Sequence, residues 1–195
     1  MSLVIGFDLD GTVVDTPTKM IDYLNERLPI KISIEDVKTY CIENALPDEY
    51  KWVVDNGFRD SRFWKKVSLI DGAYDAIKRL YDEGHDIYFV TSSLPSNLKK
   101  KIGHLTRSLD FFPADYVWQH TVNIHNKQLL RLDVIVDDAL FNLNGDREYY
   151  SICIDMPYNQ TDELIPNFTR VYNWQEMYSA IKMVESLIKE NEDEY

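Results

Sequence analysis

Leu3-Val4-Ile5-Gly6-Phe7-Asp8-Leu9-Asp10-Gly11-Thr12-Val13-Val14-Asp15 is the stretch that decides the fold. Its first five residues form an apolar run that stops at two carboxylates spaced two residues apart. Such a run suits a strand buried on both faces, as in a parallel sheet, better than the in-out alternation of a half-exposed strand. The carboxylates then fall where the chain leaves the strand, and Gly11 permits a sharp exit. The pattern recurs downstream: Ile87-Tyr88-Phe89-Val90 ends at Thr91, and 132–136 ends at Asp137-Asp138. Short strands are also expected at 116–118 and 151–154.

Between these runs the spacing is helical. Asp15 or Thr16 can cap a helix with Pro17 in its first turn and Met20, Ile21, Leu24 and Leu28 on one stripe, stopped by Pro29. Ser33 and Asp36 form a weakened capping box, and 47–56 read as a short helix closed by Gly57. Asp71 is expected to cap a helix through Ala73, Ala76, Ile77, Leu80 and Tyr81, ending at Gly84. A helix over 95–109 carries a strongly basic face. The last helix, 174–190, has Met177, Ala180, Ile181, Val184 and Leu187 as its apolar stripe, and the acidic 190–194 end is expected to fray. Alternating buried strands and helices predict an α/β fold, a doubly wound Rossmann-like parallel sheet with its ligand crevice at the carboxyl ends of the strands. Residues 1–16 and 68–195 would form this core, and 17–67 a small helical cap inserted after the first strand.

Composition narrows the partners. A net charge of −12 over 195 residues repels nucleic-acid polymers and anionic membrane surfaces, so neither is expected as a partner. Any phosphorylated substrate would need a bound cation or focused lysines to reverse that field locally. Cys41 and Cys153 lie far apart and outside any paired-thiol spacing, which points to a reducing, cytoplasmic setting. No apolar run approaches the roughly 20 residues needed to span a bilayer. The four histidines never stand at i, i+4, which argues against a two-histidine zinc site on one helix.

Asp8, Thr91 and Asp137-Asp138 each close a strand, and parallel topology gathers such ends on one edge. Asp8 is the expected nucleophile, since a carboxylate attacking phosphorus forms an acyl phosphate and splits one hard displacement into two easier ones. Asp10 would protonate the leaving oxygen and later activate water, for which neighbouring carboxylates and burial should raise its pKa. Two carboxylates meeting a phosphate need positive charge, expected from Mg²⁺ held by Asp8, a backbone carbonyl and a carboxylate of the Asp137-Asp138 pair, and from Lys127. Thr91 would donate to a phosphoryl oxygen. A calcium loop fails as an alternative, because Val14 and Thr16 occupy its later ligand positions and no Glu stands at the twelfth.

Asp8-x-Asp10-Gly11-Thr12, Thr91, Lys127 and Asp137-Asp138 resemble, in order, the four motifs of the haloacid dehalogenase (HAD) superfamily. The resemblance implies Asp8 as nucleophile, Asp10 as acid/base whose carbonyl binds Mg²⁺, Asp138 as direct metal ligand and Asp137 acting through water. Dehalogenases of the superfamily lack the second carboxylate, so Asp10 favours phosphoryl transfer. Within it the chain is most similar to the 5′(3′)-deoxyribonucleotidases. The short cap, the run from Phe63-Trp64 to Gly72-Ala73, the ten-residue step from Lys127 to Asp137, and the stretch from Pro157-Tyr158-Asn159 to Trp174 carry this similarity. It implies that Thr91 and the Ser92 backbone hold phosphate and that cap residues close over a base. In the substrate pocket Thr16 stands where the family has an aromatic residue, and Tyr40, Cys41 and Ile42 where it has an aromatic pair and an aliphatic. A small phosphorylated substrate, a nucleoside monophosphate, is the expected partner, with a homodimer as one oligomeric option. A general metabolite or sugar-phosphate phosphatase shares every catalytic residue. A mutase is disfavoured by the short, aromatic cap, and a non-hydrolytic nucleotide-binding regulator by the retention of all four motifs.

Overall fold

The computed structural model describes residues 1–144 and 147–193, with side chains to 191. Strands β1 (Val4–Phe7), β2 (Asp86–Thr91), β3 (Thr121–Asn123), β4 (Val134–Asp137), β5 (Tyr150–Ile154) and β6 (Phe168–Val171) form one parallel sheet in the order β3-β2-β1-β4-β5-β6. Helices α1 (Thr16–Arg27), α2 (Trp52–Arg59), α3 (Ser61–Lys66), α4 (Ala73–Asp82), α5 (Pro95–Ser108), α6 (Tyr116–Gln119), α7 (Leu140–Leu143) and α8 (Trp174–Asp193) alternate with the strands. The strand order reverses between β1 and β4, the switch point at which open sheets of this kind open a crevice.

Both faces of the sheet are covered, which is why its central strands read as unbroken apolar runs. Ile5 and Phe7, Val134 and Val136, and Ile152 and Ile154 point into the main core. The alternate residues Ile135 and Cys153 join Leu143 and Tyr149 on the opposite face. Phe7 packs against Trp174, the first residue of α8, with ring centroids 5.4 Å apart, and Trp174 Nε1 donates to the Thr12 carbonyl at 3.2 Å. The last helix is thereby tied to the loop that follows β1.

That loop is also zipped to the chain returning from the 17–67 segment. Asp15 N donates to Ser68 O and Ile70 N to Val13 O, both at 2.9 Å, beside an antiparallel bridge between Val14 and Leu69. The segment between these crossings contains α1 to α3 and three 3₁₀ turns, Ile34–Asp36, Ile42–Ala45 and Asp48–Tyr50. Asp15 caps α1 by accepting from Thr18 N at 3.2 Å.

Several local readings are corrected. Residues 116–118 are helical rather than extended: Phe112, Tyr116 and His120 recur every four residues and stack, at 4.3 and 3.8 Å between ring centroids. The strand follows at β3. Gly57 does not end a helix but lies within α2, where a Cβ would stand 2.8 Å from Met20 Sδ, so its role is close approach to α1. The cap position of α4 is Gly72, at φ 82°, rather than Asp71. β6 was not anticipated, being a short edge strand that is mostly half-exposed. The last helix continues to Asp193 instead of fraying from 190, and the remainder of the expected frayed end lies outside the described residues. Cys41 and Cys153 are both free thiols. Among the described residues no helix is long and apolar enough to cross a membrane.

Candidate active site

Register brings the polar strand ends together. Phe7 pairs with Val136 on one side and Phe89 on the other, so Asp8 emerges level with Asp137 and one step before Thr91. Asp8 N completes the ladder by donating to Val136 O at 2.8 Å. The loop then turns tightly, with Val13 N and Val14 N both donating to Leu9 O. Gly11 is required there: its φ is +79°, and a Cβ would lie 2.5 Å from Asp138 Oδ2.

Asp8, Asp137, Asp138, Thr91 and Lys127 are all buried. Lys127 opens a 3₁₀ turn, Lys127–Leu129, capped by Asn126, and its ammonium bridges Asp8 Oδ1 and Asp137 Oδ2, the latter at 2.7 Å. Burial alone would lower the Lys127 pKa, but the Asp8 and Asp137 carboxylates hold it above its ordinary value. Burial pushes the Asp8 carboxyl up to about 7, with the neighbouring carboxylates adding to the rise and Lys127 opposing it. Burial, with Asp8 and Asp137 beside it, also raises Asp138 well above the carboxylate range.

The two residues of the acidic pair have different surroundings. Asp137 is saturated by protein: its Oδ1 accepts from Ala139 N at 2.8 Å, and its Oδ2 from Asn142 Nδ2 at 3.0 Å as well as from Lys127. Asp138 Oδ2 accepts from the Tyr158 hydroxyl, whereas its Oδ1 is buried without a hydrogen-bond partner, as is Asp8 Oδ2. Asn159 locks this loop by donating to the carbonyls of Asp138 and Ile154, both at 2.8 Å, and Arg170 holds Asn159 at 2.7 Å. Asp8, Asp137 and Asp138 bring carboxylate oxygens within 4.8 Å of one another. An all-oxygen set with orphaned buried lone pairs suits a hard divalent cation, which would relieve both the desolvation and the mutual repulsion.

The charge beside Asp10 differs from expectation. Its neighbour is Lys101, from α5, whose ammonium ion-pairs with Asp10 Oδ2, contacts the Ser93 hydroxyl and reaches Thr91 Oγ1 at 3.3 Å. An ammonium therefore faces the expected acid/base, in addition to the nearby Asp8 carboxylate. The sequence reading missed Lys101, although a signal was present. In the Lys99-Lys100-Lys101 triplet only Lys101 falls three residues after Leu98 and four before Leu105, on the inward stripe of α5. Asn123, at the end of β3, was also missed: it accepts from Ser93 N at 2.8 Å and donates to Ser93 O at 3.0 Å, pinning the loop after Thr91.

A cavity of about 310 Å³ opens above these groups, with Asp10, Asp138 and Tyr158 on its floor. Thr16, Tyr40, Cys41 and Ile42 line one wall, and Ser92, Leu94, Asn97 and Lys101 the other. Tyr40 meets Phe141 and Tyr158 edge-on, at 5.1 and 6.2 Å. The volume is at the small end of ligand pockets.

Fold and site together define a HAD-like hydrolase. Solved structures share the architecture at low sequence identity: a HAD family hydrolase from Deinococcus radiodurans R1, with bound phosphate and sodium, superposes with a TM-score of 0.62 at 14% identity over 94% of this chain and 96% of that one. A haloacid dehalogenase-like family hydrolase from Xanthomonas campestris gives 0.54 at 16% identity over 95% and 97%. Residues 2–187 match the profile of the family described as 5′ nucleotidase, deoxy (Pyrimidine), cytosolic type C protein, and the chain belongs to that family. Its relatives include a 5′(3′)-deoxyribonucleotidase of Bacillus subtilis (strain 168), 27% identical over 91% of this chain and 97% of the relative. Another 5′(3′)-deoxyribonucleotidase, of Clostridium acetobutylicum, is 25% identical over 94% and 95%. As a member of this family the chain is a phosphoric monoester hydrolase of the 5′-nucleotidase type.

Proposed function

We propose that the protein hydrolyses (deoxy)nucleoside monophosphates in a magnesium-dependent reaction through an aspartyl-phosphate on Asp8. The supporting observation is the juxtaposition of Asp8, braced by Lys127, with orphaned carboxylate oxygens on the floor of a cavity walled by Tyr40. The family relationship and the nucleotidase names of its relatives favour the nucleotide over other monoesters.

In this reading the Asp8 carboxylate forms a bond to phosphorus as the ester oxygen departs, and Asp10 supplies the proton that the departing oxygen takes up. Asp10 then accepts a proton from the water that attacks the acyl phosphate, releasing inorganic phosphate and restoring Asp8. Thr91, the Ser92 backbone and Lys127 hold the phosphoryl oxygens. Asp8, the Asp10 carbonyl and Asp138 would hold Mg²⁺, with Asp137 through water, and the ion would offset the negative charge gathered on the phosphate. The 17–67 segment serves as the cap, with Tyr40 offering a ring for a base to stack on and Thr16, Cys41 and Ile42 shaping the wall around it.

The deciding experiment is magnesium-dependent phosphate release from a panel of ribo- and deoxynucleoside monophosphates and sugar phosphates, with Asp8→Asn as the blank. Selective release from nucleotides is expected. Release from sugar phosphates alone would keep the mechanism and discard the substrate. Tight nucleotide binding with no release from any ester would leave a regulator.

A further inference from the structure

Lys101 presents an ammonium that the scheme above leaves without a task. Its side chain is only 6% exposed, although it belongs to a helix with a solvent-facing basic surface. Its neighbour Lys99 is exposed, and Lys100 reaches out to the Arg59 carbonyl at 2.7 Å. Burying an ammonium costs several kcal/mol unless charged and polar partners replace its water. Here those partners are Asp10, Ser93 and Thr91, one of them the expected proton carrier and another the expected holder of a phosphoryl oxygen.

The charge distribution shows what is missing on this flank. Asp10 and Asp138 line the cavity, Asp8 and Asp137 cluster with Asp138, and Lys127 is engaged by Asp8 and Asp137. The orphaned oxygens of Asp8 and Asp138 would hold a divalent cation, which would supply positive charge there. Lys101 lines the cavity itself, beside Asp10, Ser93 and Thr91. With a −12 chain repelling a dianion, this is a cation already in position to receive one.

We propose that Lys101 is a phosphate-binding residue whose ammonium passes from Asp10 to an oxygen of the substrate's phosphate when the ester enters. The exchange replaces one anionic partner by another, so the buried charge is never left unpaired, and it frees Asp10 to turn toward the ester oxygen. The three donors of an ammonium allow Thr91 and Ser93 to be kept during the exchange. This inference rests on the phosphatase reading and adds to it a second, mobile cation beside Asp10.

The test compares wild type, Lys101→Met and Lys101→Arg, all with magnesium. Calorimetry measures the binding of inorganic phosphate, and steady-state kinetics are measured on a deoxynucleoside monophosphate and on p-nitrophenyl phosphate. Lys101→Met should weaken phosphate binding by roughly 10- to 100-fold, the usual contribution of a charge-assisted hydrogen bond. It should raise KM equally for both substrates, since they share only the phosphate, and Lys101→Arg should recover most of the affinity. A lysine that merely fills space would be replaced by Met with no change in phosphate affinity. That result, or a loss confined to kcat, overturns the proposal. If Lys101→Met does not fold, the Lys101 Nζ resonance of ¹⁵N-lysine-labelled Asp8→Asn protein decides: it should shift on adding phosphate, and a resonance that does not move overturns the proposal. Wild-type protein that binds phosphate through Lys101 yet hydrolyses no ester would support the inference while removing the phosphatase reading.

Discussion

The two edges of the parallel sheet use polar side chains to opposite ends. At the amino edge they complete the backbone: Asp133 accepts from Val4 N at 2.7 Å, His85 Nδ1 from Leu3 N at 3.1 Å, and Ser2 donates to Gly84 O at 2.7 Å. At the carboxyl edge Asp8, Asp10 and Asp138 each keep a buried oxygen without a hydrogen bond. Among the described residues the amino edge has one such atom, His85 Nε2, but burial holds that imidazole below its ordinary pKa, and a neutral ring costs far less than an orphaned carboxylate. One edge is finished by the fold, whereas the other is held ready for what enters the cavity.

Substitutions should separate these roles. The largest effect is expected from Asp8→Asn, which should lower turnover by at least about 10⁴-fold with the fold intact, because the proposed nucleophile is lost without change of shape. Near-wild-type phosphate release in that variant would break the comparison at its centre. Asp10→Asn should slow both formation and breakdown of the intermediate, with a loss of about 10²- to 10⁴-fold in steady state, and single-turnover kinetics would resolve the two steps.

At the other edge Asp133→Ala should do the reverse. Leaving Val4 N unpaired should cost about 1–3 kcal/mol in urea unfolding while kcat/KM on a deoxynucleotide stays at its wild-type value. An activity loss larger than the stability loss would show that the two edges are not independent. Tyr40→Ala should raise KM for nucleotides by about 2- to 12-fold and leave p-nitrophenyl phosphate unaffected, the size expected of one aromatic contact. Equal effects on both substrates would argue against base stacking.

A last expectation concerns the pH dependence of stability. Asp8 is raised from its ordinary 3.8 to about 7, so between those values the folded, magnesium-free chain keeps a proton that the unfolded chain has released. Its contribution to stability is therefore present at low pH and is lost as pH rises through 7. Magnesium-free wild type should fall in stability relative to Asp8→Asn over that window, and added magnesium should narrow the gap. A difference between the two proteins that does not vary with pH would place the Asp8 carboxyl back in the ordinary range.

The apolar runs ending at Asp8, Thr91 and Asp137 were legible because a strand buried on both faces permits few other residues, and because parallel order makes strand ends coincide. Asp8, Asp10, Thr91, Lys127 and Asp138 stand out as candidates for the same reason: residues of these types fall at the strand ends or at a fixed distance from them. What stayed hidden depends on contacts between elements distant in sequence. The helical turn at Tyr116 is specified by a stack with Phe112 and His120 that resembles strand-forming aromatics when read linearly. Lys101 lies 91 residues from Asp10, and only the packing of α5 against the loop after β1 brings an ammonium onto that carboxylate. Asp137 and Asp138 are adjacent and chemically identical in sequence. They differ because Asn142, Ala139 and Lys127 saturate one, while Tyr158 leaves the other an open buried oxygen. Residue type and strand position are local properties that a sequence carries, whereas the pairing of a buried charge is set by which distant groups the fold places within hydrogen-bond reach.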